Sequence, residues 1–360
     1  MQRHETRLRM SALLLAGALV FGGCLEYETT TTILTDGSLR RSIVVTGDST
    51  AVHSWDFRVP VDTGWTLLSQ ERVDEKKWRF SAERDFSSAD EWNAYQSTAG
   101  RRTLVCSLRV EKSFRFFTTS YRFSETISSY NPFRLVPITD FLSPSELEAF
   151  LRFEVFKESY PTKGDSLALE DAGDRFEEWD TACRVEAFRR AIVGAISPDE
   201  PALADSAWQA TFRNDLETYL TKPSKSGNKE YENPDADKLL HWLNGHTAGM
   251  DVSLQQLRSE LLRIKVDVDF MQSVGSDTYV SRVGMPGTLV RTNGKPEGES
   301  GAKWENYIGY AYVNDFTMEA ESSAVNVWAI VLALAVVVGG PILVWVAWIT
   351  RRRRIAPKVG

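Results

Sequence analysis

The chain is short of the residues on which most enzymes depend. Four histidines and three cysteines are spread over 360 residues. His4 precedes the body of the chain, and His53 stands alone. His241 and His246 are five positions apart, which sets them about 140° apart around a helix rather than on one face, as a zinc pair four apart would be. No cysteine lies near them to complete a ligand set, so no metal is expected. The sequence also lacks a Gly-x-Ser-x-Gly elbow, a Walker loop and a Gly-x-Gly-x-x-Gly turn, which removes the usual starting points for a catalytic triad, a nucleotide site and a dinucleotide cofactor. The alternating oxygen ligands of an EF-hand are absent as well. We expect no cofactor and a non-enzymatic role.

Positive charge is scarce where the chain is longest. The net charge is −7, but three Arg and one Glu before Cys24 and four Arg and one Lys after Thr350 together contribute +7, leaving −14 on residues 24–350. An acidic body argues against nucleic acid, which requires clustered cations, and against electrostatic adhesion to anionic lipid.

Hydrophobic length is what the chain does have. Val325 to Ile349 is uncharged and, at about 1.5 Å per residue, reaches roughly 37 Å as a helix, enough to cross a hydrocarbon core of about 30 Å. Trp328 at one end and Trp345 and Trp348 at the other suit the headgroup level. Arg351, Arg352, Arg353 and Arg354 follow and resist translocation, so residues 350–360 form a basic cytoplasmic tail and everything before the helix faces outward. Ala335 and Gly339 make a small-xxx-small pair, and Gly339-Gly340-Pro341 predicts a kink through which a sensor could relay strain.

The N-terminus carries the same address. Arg3, Arg7 and Arg9 precede an apolar stretch from Ser11 to Gly23, too short to span, which reads as a signal peptide over residues 1–23. Val20-Phe21-Gly22-Gly23-Cys24 resembles the bacterial lipoprotein cleavage box, which implies an acylated Cys24, with palmitate among its chains, as a second membrane anchor. Cys106 and Cys183 remain as an even pair, open to a disulfide or to two separate buried thiols.

The body alternates with period two from Glu26. Tyr27, Thr29, Thr31 and Ile33 form one face of a strand, and Leu39, Arg41, Ile43 and Val45 one face of the next. Thr35-Asp36-Gly37-Ser38 between them predicts a type I′ hairpin. Further strands are read at Trp65–Gln70, Trp78–Ala82, Leu104–Val110 and Phe114–Ile127, the last with a bulge at Thr118-Thr119, and a short helix begins at Ser88. The period changes at Ser143-Pro144-Ser145-Glu146, a capping box. Helical patterns follow over Asp171–Ile196, Ala202–Leu220 and Asp235–Leu243 and from Val252, with Lys222–Glu232 as a polar loop. Strand signals return at Thr278–Val283, Thr288–Arg291, Trp304–Val313 and Phe316–Glu321. Isolated hairpins are marginal in water, so the late strands should complete the early sheet. The expected fold class is α+β: a discontinuous, antiparallel β-rich domain over residues 24–135 and 278–322, a helical insertion over 143–275, and one transmembrane helix over 325–349.

Three features together resemble the LppM-type bacterial envelope lipoproteins. An acylatable cysteine is followed at once by a strand; Asp36-Gly37-Ser38 leads into a second strand; and Pro286-Gly287, Asn293-Gly294 and Trp304 precede a single C-terminal helix with a basic tail. The resemblance implies an envelope lipoprotein held at the outer face of the cytoplasmic membrane and brings no catalytic residue with it. The expected partners are the membrane and an envelope protein or lipid.

Two chemical constellations compete with that picture. Gly164-Asp165-Ser166-Leu167 spells the block of the GDSL hydrolases, but Tyr160-Pro161-Thr162-Lys163 before it is no apolar strand, and Asp237 to His241 is one residue too long for that family's Asp-x-x-His. Glu170, Asp171, Asp174, Glu177 and Glu178 could supply paired carboxylates, yet such a run is ordinarily a solvated helix face. The rival function is a membrane-anchored hydrolase of envelope lipid or glycan, with Ser166 as the residue to test. Trp179, Trp208 and Trp242 in the helical region either fill a core or line an aromatic groove.

Overall fold

The computed structural model describes residues 25–355 apart from 55–56, 63, 99–102, 157–162, 224–228, 232–235 and 248–249. Cys24 and residues 1–23, where a signal peptide is expected, lie outside the described residues.

The alternation read from Glu26 produces β1 (Glu26–Ile33) and β2 (Leu39–Asp48), in which Tyr27, Thr29, Thr31 and Ile33 and then Leu39, Arg41, Ile43 and Val45 are the buried faces. After a short helix α1 (Ser49–Ser54) come β3 (Thr66–Arg72), β4 (Lys77–Phe86), α2 (Ala89–Ser97), β5 (Cys106–Phe114) and β6 (Thr118–Ile127). The helical region comprises α3 (Pro144–Phe156), α4 (Lys163–Ala195), α5 (Ser206–Leu220), α6 (Ala236–His246) and α7 (Leu254–Ser276), with a small hairpin β7 (Thr221–Pro223) and β8 (Lys229–Tyr231). The chain closes with β9 (Thr278–Gly284), β10 (Thr288–Thr292), β11 (Lys295–Glu297), β12 (Gly301–Glu305), α8 (Ile308–Val313), β13 (Phe316–Val325) and α9 (Val327–Ile355).

The fold is α+β, with two main sheets. One runs β11-β12-β9-β1-β2-β4-β3, the other β10-β13-β6-β5. Among the described residues every strand pairing is antiparallel except β1 with β9, where Glu26 to Thr32 align in parallel with Thr278 to Gly284. The late strands therefore pair with early ones in both sheets, since β13 also lies along β6 from Phe316↔Ile127 to Val325↔Thr118. The sheets share one core. Arg41 of β2 crosses it to Glu125 of β6 at 2.7 Å, with both side chains about as buried as apolar ones, and its guanidinium stacks on Trp92 at 4.0 Å.

Several local readings change. Asp36-Gly37 does not form a type I′ turn, because only Gly37 has positive φ (99°). The loop instead closes by Gly37 N–H to Leu34 O at 3.0 Å and Leu34 N–H to Ser38 O at 2.8 Å, while Asp36 Oδ1 accepts from Ser38 N at 2.9 Å. The expected bulge at Thr118-Thr119 is the start of β6, and the turn lies at Arg115–Phe117. The strand expected over Trp304–Val313 ends at Glu305; Asn306 turns left-handed (φ 55°) and the chain becomes α8. Lys222–Glu232 contains the β7–β8 hairpin. The capping box holds: Glu146 N–H donates to Ser143 Oγ at 3.3 Å, and Ser143 N–H to Glu146 Oε2 at 2.8 Å.

Helix α8 joins sheets to helices. Tyr312 stands edge-on to Trp179 of α4 at 6.3 Å, and its hydroxyl donates to Asp180, which also pairs with Arg184 at 2.8 Å. From β13 the chain passes through Asn326 into α9. Within α9, Val327–Trp348 is 22 residues long and apolar enough to cross a membrane, with its side chains largely exposed.

Candidate functional site

Between β6 and α3 the chain runs as Pro132-Phe133-Arg134-Leu135-Val136-Pro137, an apolar strap bracketed by prolines that cannot donate to a sheet ladder. It is pinned to the helices by the Val136 carbonyl and the Arg134 side chain. Trp179 Nε1 donates to Val136 O at 2.9 Å, Cys183 Sγ approaches the same oxygen at 3.8 Å, and Arg134 Nη1 reaches back to Val313 O at 3.0 Å. Asn131 Oδ1 accepts from Phe133 N at 2.8 Å, closing the bend at which the strap begins.

Depressions open on both sides of Leu135. The larger, about 560 Å³, lies between the strap and α4 and α5 and is floored by Leu135, Val136 and Pro137. The smaller, about 260 Å³, lies between the strap and α4 and α7, with Phe133, Ala187 and Ala191 in its wall. The rims are polar. Glu186 accepts from Arg189 Nε at 2.7 Å and Nη2 at 2.8 Å and from Arg190 Nε at 2.8 Å, and these bonds, Arg189's first, hold its carboxyl down to about 2. Arg213 stands exposed on the rim of the larger depression with no acidic partner among the described residues. Neither wall contains a histidine or a cysteine. The arrangement suits an elongated apolar segment with a polar or anionic end.

The residues singled out by sequence do not converge here. Cys24 lies outside the described residues, and the side chains of Arg351, Arg352, Arg353 and Arg354 are likewise undescribed, though the backbone there is the last turn of α9. Cys106 and Cys183 are both free. They are not brought together: Cys106 sits on β5 near Glu125 and Arg41, whereas Cys183 faces the strap from α4, so the disulfide alternative does not form. Burial raises both thiols above the usual cysteine range. Gly164 to Leu167 fall in the first turn of α4. His246 stacks on Trp242 at 4.0 Å with Nε2 3.6 Å from Asp215, while His53 stands edge-on to Trp78 at 4.6 Å. Among the described residues no three His, Cys, Asp or Glu side chains are grouped to hold a metal. Asp171 pairs with Arg175 at 2.9 Å on an exposed face of α4. Trp179 is core; Trp208 stacks on Phe212 within α5 at 4.9 Å, and Trp242 of α6 packs on α5 through Tyr219 at 4.9 Å and Phe212 at 6.1 Å. The strap itself carried only a weak signal in sequence, an apolar run too short for a helix and interrupted by proline.

No protein-family model and no curated protein matches the chain. Among solved structures, the NMR structure of the folded domain of Mycobacterium tuberculosis LppM aligns with 85% of this chain and 94% of its own length, at 8% identity and a TM-score of 0.28. Values this low leave the functional question to the geometry.

Proposed function

We propose that the protein is a non-enzymatic lipoprotein of the bacterial cell envelope, tethered to the outer face of the cytoplasmic membrane, whose body binds an apolar envelope ligand or a segment of a partner protein along the Pro132–Pro137 strap. The observation that carries the tether is the direct passage of β13 into α9, a helix of spanning length with exposed apolar sides. Support for binding comes from the paired depressions at Leu135, which combine an apolar floor with an exposed cation at Arg213, the composition of sites that take an apolar ligand and orient it by one polar group. In this reading Cys24 is acylated, α9 crosses the bilayer, and Arg351 to Arg354 keep the C-terminus in the cytoplasm.

Ala210 lines the larger depression and is exposed, so Ala210→Trp fills the site without touching the core. Native mass spectrometry of the full chain released from membranes is expected to show a bound ligand that Ala210→Trp abolishes and Arg213→Glu weakens. A ligand retained by both variants would place binding elsewhere, and ester hydrolysis abolished by Ser166→Ala would replace this function with the hydrolase.

A further inference from the structure

The tip of the β5–β6 hairpin is built unlike the rest of the acidic body. Phe114, Phe116 and Phe117 are 58%, 47% and 51% exposed, three aromatic rings within four residues where a water-facing turn would ordinarily be polar. They lie at the foot of α9: Phe114 stacks with Trp328 at 6.2 Å, and Phe116 meets the same indole edge-on at 5.6 Å. Trp328 is the second residue of the spanning stretch, so the depth at which α9 enters the bilayer is also the depth of these rings.

The carbonyls of the tip are fitted to a medium poor in water. Arg115 and Thr118 exchange hydrogen bonds, N–H to O at 2.7 and 3.1 Å. Asn326 then satisfies the outward carbonyls: its Nδ2 donates to Arg115 O at 2.7 Å and Phe116 O at 3.1 Å, and its backbone N–H to Phe117 O at 2.8 Å. Oδ1 of the same side chain accepts from Thr119 Oγ1 at 2.9 Å. Carbonyls left without donors would bar a loop from the acyl boundary; here all three are paired. Arg115, the one charge at the tip, has no acidic partner among the described residues and is of the right sign for a lipid phosphate.

We propose that Phe114 to Phe117 are set into the headgroup–acyl boundary of the bilayer that α9 crosses, with the three phenylalanines among the upper acyl segments and Arg115 at the phosphates, so that the body is held by a helix and a wedge rather than by a flexible stalk. The proposal rests on α9 spanning the membrane and goes beyond it in naming a second contact with lipid. Its occupant is phospholipid because the aromatic surface is continuous with the exposed face of α9.

The test uses the full chain in native membranes with benzoylphenylalanine, itself an aromatic side chain, in place of Phe116, Phe117 or, in mid-span, Val338. After irradiation, phospholipid adducts are expected at all three positions. Adducts at 338 with none at 116 and 117 would overturn the wedge while leaving the span intact. A protein adduct at 116 or 117 would overturn it in favour of a protein-docking surface. Absence of lipid at 338 as well would show that the spanning reading of α9 had failed first, and the wedge with it.

Discussion

Asp277 is a half-buried carboxyl whose ionisation bears on stability. It stands between α7 and β9, where its Oδ1 accepts from Leu25 N at 2.8 Å, and burial lifts its carboxyl from 3.8 to about 6. A carboxyl raised in the folded state binds more protons folded than unfolded between those values, so this group's contribution to stability rises as pH falls from about 6 to about 4, by at most about 3 kcal/mol. Glu186, held at about 2 by its arginines, acts in the opposite sense, stabilising above about pH 4.5 and losing that contribution as pH falls towards 2. The two windows scarcely overlap. Asp277→Asn preserves an acceptor for Leu25 and is expected to raise the melting temperature at pH 7.5 and to flatten its rise between pH 7 and 5. An unchanged pH profile in that variant would remove Asp277 from the account. Arg41 takes its place in the alternation on the core face of β2, and a buried arginine is tolerated there because Glu125 meets it from the opposite sheet and Trp92 of α2 stacks on its guanidinium.

At the scale of elements, the junction between β13 and α9 is decided by Asn326. Asparagine at a helix start ordinarily caps the free N–H groups of the first turn; here its side chain goes to the β5–β6 hairpin instead, fastening the last helix to a turn some two hundred residues earlier. Asn326→Ala removes these side-chain bonds at about 1 kcal/mol each. Hydrogen exchange in the peptide covering residues 114–119 is expected to accelerate by about tenfold for each 1.4 kcal/mol lost, while the core strands β1 and β2 keep their protection. Exchange unaltered in that peptide would mean that the Asn326 side chain does not hold the hairpin tip. The turn between β9 and β10 is equally particular, since Gly287 has φ of +82° and a Cβ there would lie 2.2 Å from Ser323 O.

For the whole molecule the question is how two proposed anchors meet one bilayer. The β1–β2 tip lies towards the wedge, because Thr35 O accepts from Lys112 Nζ at 2.7 Å and from Tyr121 hydroxyl at 2.9 Å on the β5–β6 hairpin. Leu25, the residue after Cys24, is at the other end of β1, about 26 Å away along an eight-residue strand. Under the proposed tethering, an acyl anchor on the residue before Leu25 together with α9 entering at the wedge would hold β1 along the membrane surface, while a body held by α9 and the wedge alone would be free to stand upright. The net −14 of residues 24–350 gives no general attraction to anionic lipid, so the pose depends on the acyl anchor. Benzoylphenylalanine at Glu26, an exposed position, is expected to yield lipid adducts that Cys24→Ser abolishes. Adducts that survive Cys24→Ser would show that the flat pose does not require acylation.

Sequence alone determined what depends on local pattern and on transfer between solvents. The spanning length of the last hydrophobic run, the period-two faces of β1 and β2, the capping box at Ser143 and the absence of a metal-ligand spacing all follow from residue type and position along the chain. It misread places where neighbours distant in sequence override local preference: Ile308 to Val313, expected to continue the strand from Trp304, forms α8, whose Tyr312 packs against Trp179 and Asp180, and Asp36-Gly37 makes an Asx-supported loop rather than a type I′ turn. Tertiary structure alone decided the strap depressions, the free state of Cys106 and Cys183, and the meeting of Phe114, Phe116 and Trp328. Each of these joins segments far apart along the chain, and the free energy that brings such segments together comes from a shared core and from hydrogen bonds closed across it, neither of which is written in any single stretch of residues.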